Sequence, residues 1–144
     1  MKKRVIGFDH GNRRIGTATG NFQTGTTQAL ETLQCNNGQP DWEKILQLVA
    51  TWRADRLVVG LPLLPDGSPG DSCRYARLFA DELATRTGLP VALVDERFSS
   101  VEADHLLTQG AAPGRSRRRQ REKMRDSVAA ELIVRTYLSE NPEP

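Results

Sequence analysis

The chain has 144 residues, of which 38% are hydrophobic and 26% charged, with a net charge of +2. That is enough for one domain with a proper core and too little for two. No apolar run is long enough to span a bilayer, and Asp9 cuts short the apolar stretch after the basic start at Lys2, Lys3 and Arg4, so neither a membrane anchor nor a signal segment is expected.

These features point to a cytoplasmic protein. Cys35 and Cys73 are expected as reduced bystanders, and the absence of paired Cys/His spacings disfavours structural zinc.

Residues 5–8 form a short apolar run that reads as a buried strand ending at Asp9. A turn through His10, Gly11, Asn12 and Arg13 leads to a second strand over residues 14–19. A third is expected over residues 26–32. Asp41 is a good N-cap, and Trp42, Ile45, Leu46, Val49 and Trp52 follow at helical spacing. On such a stripe a tryptophan pair reads as core before it reads as a base-stacking surface.

Residues 57–60 are a fourth buried strand. After a loop rich in Pro and Gly, Asp71 or Ser72 caps a helix expected to bury Tyr75, Leu78, Phe79 and Leu83. Gly88 and Pro90 stop it. A fifth strand over residues 91–94 runs into Asp95 and Glu96. Ser99 and Glu102 form a capping box for a helix reaching about residue 109.

Residues 110–121 read as a basic loop. The last helix then presents Val128, Ala129, Leu132, Ile133 and Tyr137 on one face. Residues 1–140 are expected as one domain and residues 141–144 as a frayed tail.

Charge is unevenly spread. From Pro113 to Arg125 there are seven basic residues (Arg115, Arg117, Arg118, Arg119, Arg121, Lys123, Arg125) against Glu122 alone, a local charge of +6. With the whole chain at +2, the remainder carries −4. Such a segment is either a contact for a phosphate backbone or a solvated surface. Its position just before Asp126 favours the first.

Three strands joined by tight turns, then helix–strand units, give an α/β fold: a five-stranded mixed sheet flanked by helices, with the first strand central. This order resembles the ribonuclease H-like fold. The motifs are more specific. Gly7-Phe8-Asp9-His10-Gly11 with Arg14-Ile15-Gly16-Thr17-Ala18, Val58-Val59-Gly60-Leu61-Pro62 with Asp66-Gly67-Ser68, Asp95-Glu96-Arg97 with Ser99, and Asp126-Ser127-Val128-Ala129-Ala130 together resemble the YqgF/RuvX family, in the family's order and across nearly the whole chain.

The resemblance implies a cytoplasmic, metal-dependent nuclease that processes the 5′ end of the pre-16S rRNA. Cleavage of branched DNA as a Holliday junction resolvase is the alternative. A non-catalytic RNA-binding assembly factor and a phosphate-binding kinase-like enzyme are the competing classes, though 144 residues leave no room for the second lobe that such kinases need.

Asp9, Glu96 and Asp126 are the candidate catalytic residues and metal ligands, with Mg²⁺ or Mn²⁺ as the ion. Carboxylates suit hard cations, and two such ions can activate water and stabilise a leaving oxygen. Each acid has a structural alternative. Asp9 can cap its turn, Asp126 can cap the last helix, and either Asp95 or Glu96 can be the second ligand. Arg14, Arg115, Arg117, Arg118, Arg119 and Arg121 are candidate phosphate contacts, and His10 a weaker candidate for proton transfer. The oligomeric state is open.

Overall fold

The computed structural model describes residues 4–11, 13–62, 70–95 and 115–140, with side chains of the last helix from Val128 onward. Its elements are β1 (Arg4–His10), β2 (Arg14–Asn21), β3 (Thr27–Ala29), β4 (Leu33–Gln34), α1 (Trp42–Trp52), β5 (Arg56–Leu61), α2 (Asp71–Thr87), β6 (Val91–Asp95) and α3 (Arg115–Glu140). The capping box at Ser99 and its helix lie outside the described residues, as does the tail.

The sheet order is β3-β2-β1-β5-β6, with β4 also pairing β2, at Arg14 and Ile15. β1 is antiparallel to β2 and parallel to β5, and β5 is parallel to β6. Among the described residues the sheet therefore has six strands rather than the expected five. The expected third strand divides in two: the ladder holds through Ala29 and Leu30, whose N–H donates to the Thr17 carbonyl at 2.9 Å. The Thr17 hydroxyl then takes the Glu31 carbonyl, diverting the backbone before Leu33 pairs with Ile15.

β1 alternates between two cores. Ile6 and Phe8 join Leu57 and Val59 under α1 and α2. Val5 joins Ala18, Val58 and Val94 under Ala130, Ile133, Val134 and Tyr137 of α3. Because both faces of β1 and β5 are covered, these strands read as continuous apolar runs.

Asp41 caps α1 as expected, accepting from the Lys44 N–H at 3.2 Å. Trp42 stacks on Phe79 at 5.4 Å, with the Arg86 guanidinium 4.6 Å from its ring. The tryptophans thus pack against the core under cationic lids, each lid contributing about 0.5–1 kcal/mol at such exposed sites. In α2 the expected stripe is corrected. Cys73, Ala76, Phe79, Ala80 and Leu83 are buried, while Tyr75 and Leu78 are exposed, as is Leu46 of α1. Its N-cap is Gly70, with no side-chain bond, rather than Asp71 or Ser72; Gly88 ends the helix in the left-handed region as expected.

The basic segment is also corrected. From Arg115 onward its backbone is helical and continuous with the last helix. From Arg115 to Glu140 no glycine or proline interrupts the sequence, and Arg, Gln, Lys and Met are good helix formers.

α3 lies unusually close to the sheet. A Cβ built on Gly7 would fall 2.4 Å from Val134 Cγ2, and one on Gly20 would fall 2.5 Å from Val134 Cγ1. Gly7→Ala is therefore expected to destabilise the protein by about 1–3 kcal/mol through overpacking. In urea denaturation, the double variant with Val134→Ala should lose less than the sum of the two single losses. Strict additivity would mean the helix simply shifts away.

Candidate active site

The parallel register of β1, β5 and β6 brings their C-terminal ends to one edge of the sheet. Asp9 lies near that end of β1, opposite Gly16 of β2. Two residues earlier, Gly7 faces α3, so strand alternation puts Asp9 on the α3 face as well. Asp9 is half-buried and engaged by neighbouring protein groups.

The glycine contacts also fix the direction of α3. Gly20 sits at the level of Val5 and meets Val134 and Leu138; Gly7, further along β1, meets Val134 and the Ala130 carbonyl. The helix therefore runs antiparallel to β1. One turn before Ala130 is residue 126. The backbone of Asp126 is thus carried toward the level of Asp9. Asp126 lies well inside α3, which removes the reading of Asp126 as an N-cap.

The side chains of Asp126, Arg115, Arg117, Arg118, Arg119 and Arg121, and the whole of Glu96, lie outside the described residues. Among the described residues no group of three His, Cys, Asp or Glu side chains is placed to hold a metal ion. Asp95 itself can be placed. Val94 packs in the cluster beneath α3, so alternation puts Asp95 on the opposite face, the one under α2.

His10 points away from Asp9. Its ring packs 4.9 Å from Phe79, and burial lowers its pKa from the usual histidine value. This makes it a neutral packing group at neutral pH, and a series Trp42–Phe79–His10 runs across the α2 side. That series is only partly legible from residue spacing: Phe79 lies on the apolar stripe, but nothing in its spacing shows contact with His10.

Gly11 closes the turn after β1 so tightly that a Cβ would come within 2.7 Å of the Arg14 carbonyl. Arg14 opens β2, half-buried and held by protein contacts. Cys35 abuts this turn, its N–H donating to the Arg13 carbonyl at 2.9 Å. Burial raises its thiol pKa, which keeps it protonated and inert.

Residues 3–140 match the RuvX family, described as Holliday junction resolvase. A protein of Burkholderia lata named as a candidate pre-16S rRNA nuclease is 43% identical over 136 residues, covering 94% of this chain and 89% of its own. One of Azotobacter vinelandii with the same name is 43% identical over 139 residues, covering 96% and 94%. Among solved structures, Thermus thermophilus RuvC bound to a Holliday junction is similar at a TM-score of 0.53 and 16% identity, with 96% of each chain covered. The fowlpox virus Holliday junction resolvase gives 0.53 at 11% identity, covering 95% and 98%. At these identities the structural likeness speaks for the fold.

The depressed pKa of His10 has a sign. The unfolded chain binds this proton more readily, so stability contributed by neutral His10 is present above the unfolded value of 6.5 and is lost as pH falls below it. In EDTA, His10→Phe should keep the ring contact and flatten the pH dependence of stability just below pH 6.5. Parallel stability curves for the two proteins would place the titrating group elsewhere.

Proposed function

This chain belongs to the RuvX Holliday junction resolvase family, and from that premise we propose that it is a divalent-metal-dependent nuclease acting in the cytoplasm at the 5′ end of pre-16S rRNA. The observation that carries the reading is the crossing of α3 over β1, which sets the backbone of Asp126 near the level of Asp9 on one face of the sheet. The names of the relatives favour the RNA substrate. Branched DNA is the second reading, favoured by the description of the matching family.

Asp9, Glu96 and Asp126 are assigned as catalytic residues and ligands. Strand alternation disfavours Asp95 as the second ligand, because it falls on the face away from Asp9, and Glu96 is assigned in its place. Three carboxylates form a hard-oxygen donor set, which fits Mg²⁺ or Mn²⁺. When bound, such ions activate water and stabilise the leaving oxygen.

Asp9 is suited to holding an ion in a fixed place, since β1 is paired on both sides. Asp126 is borne by a helix locked against glycines. Arg14 and the arginines at 115, 117, 118, 119 and 121 are assigned to the phosphate backbone. Among the described residues no helix is long and apolar enough to cross a membrane.

Losing a ligand forfeits several kcal/mol of transition-state stabilisation, so Asp9→Asn should slow cleavage by at least about 100-fold. Binding measured in EDTA should persist. Undiminished cleavage by this variant would overturn the site. A precursor rRNA and a four-way DNA junction, offered side by side with Mg²⁺, Mn²⁺ or EDTA, distinguish the two substrates. Replacing Arg117, Arg118 and Arg119 with Ala should reduce the log–log salt slope of binding by up to about 3. An unchanged slope would leave the basic stretch as a solvated surface.

A further inference from the structure

Tyr75 and Leu78 stand on the side of α2 that the apolar core leaves uncovered, 46% and 58% exposed. Their place in the fold is specific. The Leu57 N–H donates to the Pro90 carbonyl at 3.0 Å, so the end of α2 lies beside the start of β5 and the helix runs antiparallel to that strand. Its first turns therefore rise at the C-terminal edge of the sheet, where β1 ends in Asp9 and His10. Phe79 touches His10, and Tyr75 lies one turn nearer that edge, on the exposed flank beside the buried stripe that holds Phe79.

The Arg74 guanidinium sits 5.6 Å from the Tyr75 ring centre. Asp71 is 3.7 Å from Arg74, but both side chains are largely in water, and such a pair gives way easily to a phosphate.

We propose that Tyr75, with Leu78 beside it and Arg74 against its ring, is a stacking platform for an unpaired base of the nucleic-acid substrate next to the cleaved bond. This inference rests on the nuclease reading and names the substrate class of that site. Bases stack on aromatic rings whatever their identity, and nearby arginines complement the phosphates between them. A base inside a duplex cannot lie on the ring without leaving its stack, so the platform favours single-stranded nucleotides at the cut. The approach is over the sheet edge, since Asp9 faces α3 and Tyr75 lies on the α2 side.

The test uses the full chain in EDTA and two fluorescent RNA hairpins, one blunt and one with a short single-stranded 5′ flank. Tyr75→Ala should weaken binding of the flanked hairpin by about tenfold and leave the blunt one unchanged. Tyr75→Phe should bind like the wild type, and the emission of Tyr75→Trp should be quenched by the flanked hairpin alone. Wild-type affinity of Tyr75→Ala for the flanked hairpin, or an equal loss for both hairpins, overturns the platform. Cleavage by the wild-type protein with Mg²⁺ is followed in parallel. A wild type that cleaves neither precursor rRNA nor a DNA junction overturns the nuclease reading, whatever Tyr75 does in binding.

Discussion

The contact on which the rest depends is the seating of one helix against bare backbone. β1 and β2 offer α3 a face of small residues, Gly7, Gly20 and Ala18, and the helix answers with Ala130 and Val134. Small residues on both sides let helix and sheet approach until a single added methyl would collide. Such a fit leaves little freedom in height or rotation, because close-packed interiors deform in steps rather than smoothly. The side of the clasp toward β3 is secured separately. The Thr27 hydroxyl donates to Glu131 at 2.8 Å, and Arg135 reaches both Thr27 and Glu131.

Asp9 is therefore positioned twice, by the pairing of its strand and by the height of the helix above it. The opposite face of the sheet is built differently. There larger side chains such as Ile6, Phe8, Leu57 and Phe79 pack beneath α1 and α2, and His10 is absorbed into that packing beside Phe79. Adjacent residues of one strand, Asp9 and His10, thus have unrelated surroundings. A histidine beside a motif aspartate is no evidence of shared chemistry when the pleat sends them to opposite faces.

Much of this was legible in the sequence. The run before Asp9, the cap at Asp41 and the stop at Gly88 follow from local chemistry, and all three stand in the structure. The errors share a cause. In α2, two stripes at helical spacing compete, and the larger residues Tyr75 and Leu78 suggested the wrong one. Cys73, Ala76 and Ala80 are buried instead because the sheet takes small side chains there. Gly110, Pro113 and Gly114 made the basic stretch read as loop, although the breakers end before Arg115. The split between β3 and β4 turns on the Thr17 hydroxyl, which no local pattern reveals. The height of α3 over Asp9 was invisible for the same reason: it is set by Gly7 and Gly20, far from the helix in sequence.

That distance has a consequence for synthesis. The Thr27–Glu131 bond joins residues 104 positions apart, and among the described residues the face formed by Val5, Ala18, Val58 and Val94 takes its cover from α3. A chain emerging from the ribosome makes Asp9 and its strand long before it makes α3. Every contact that seats α3 is long-range, so its docking is a late and slow event. Until then the growing chain bears an apolar sheet face, and Asp9 waits without the helix that carries Asp126. The order of translation itself delays the closing of that face.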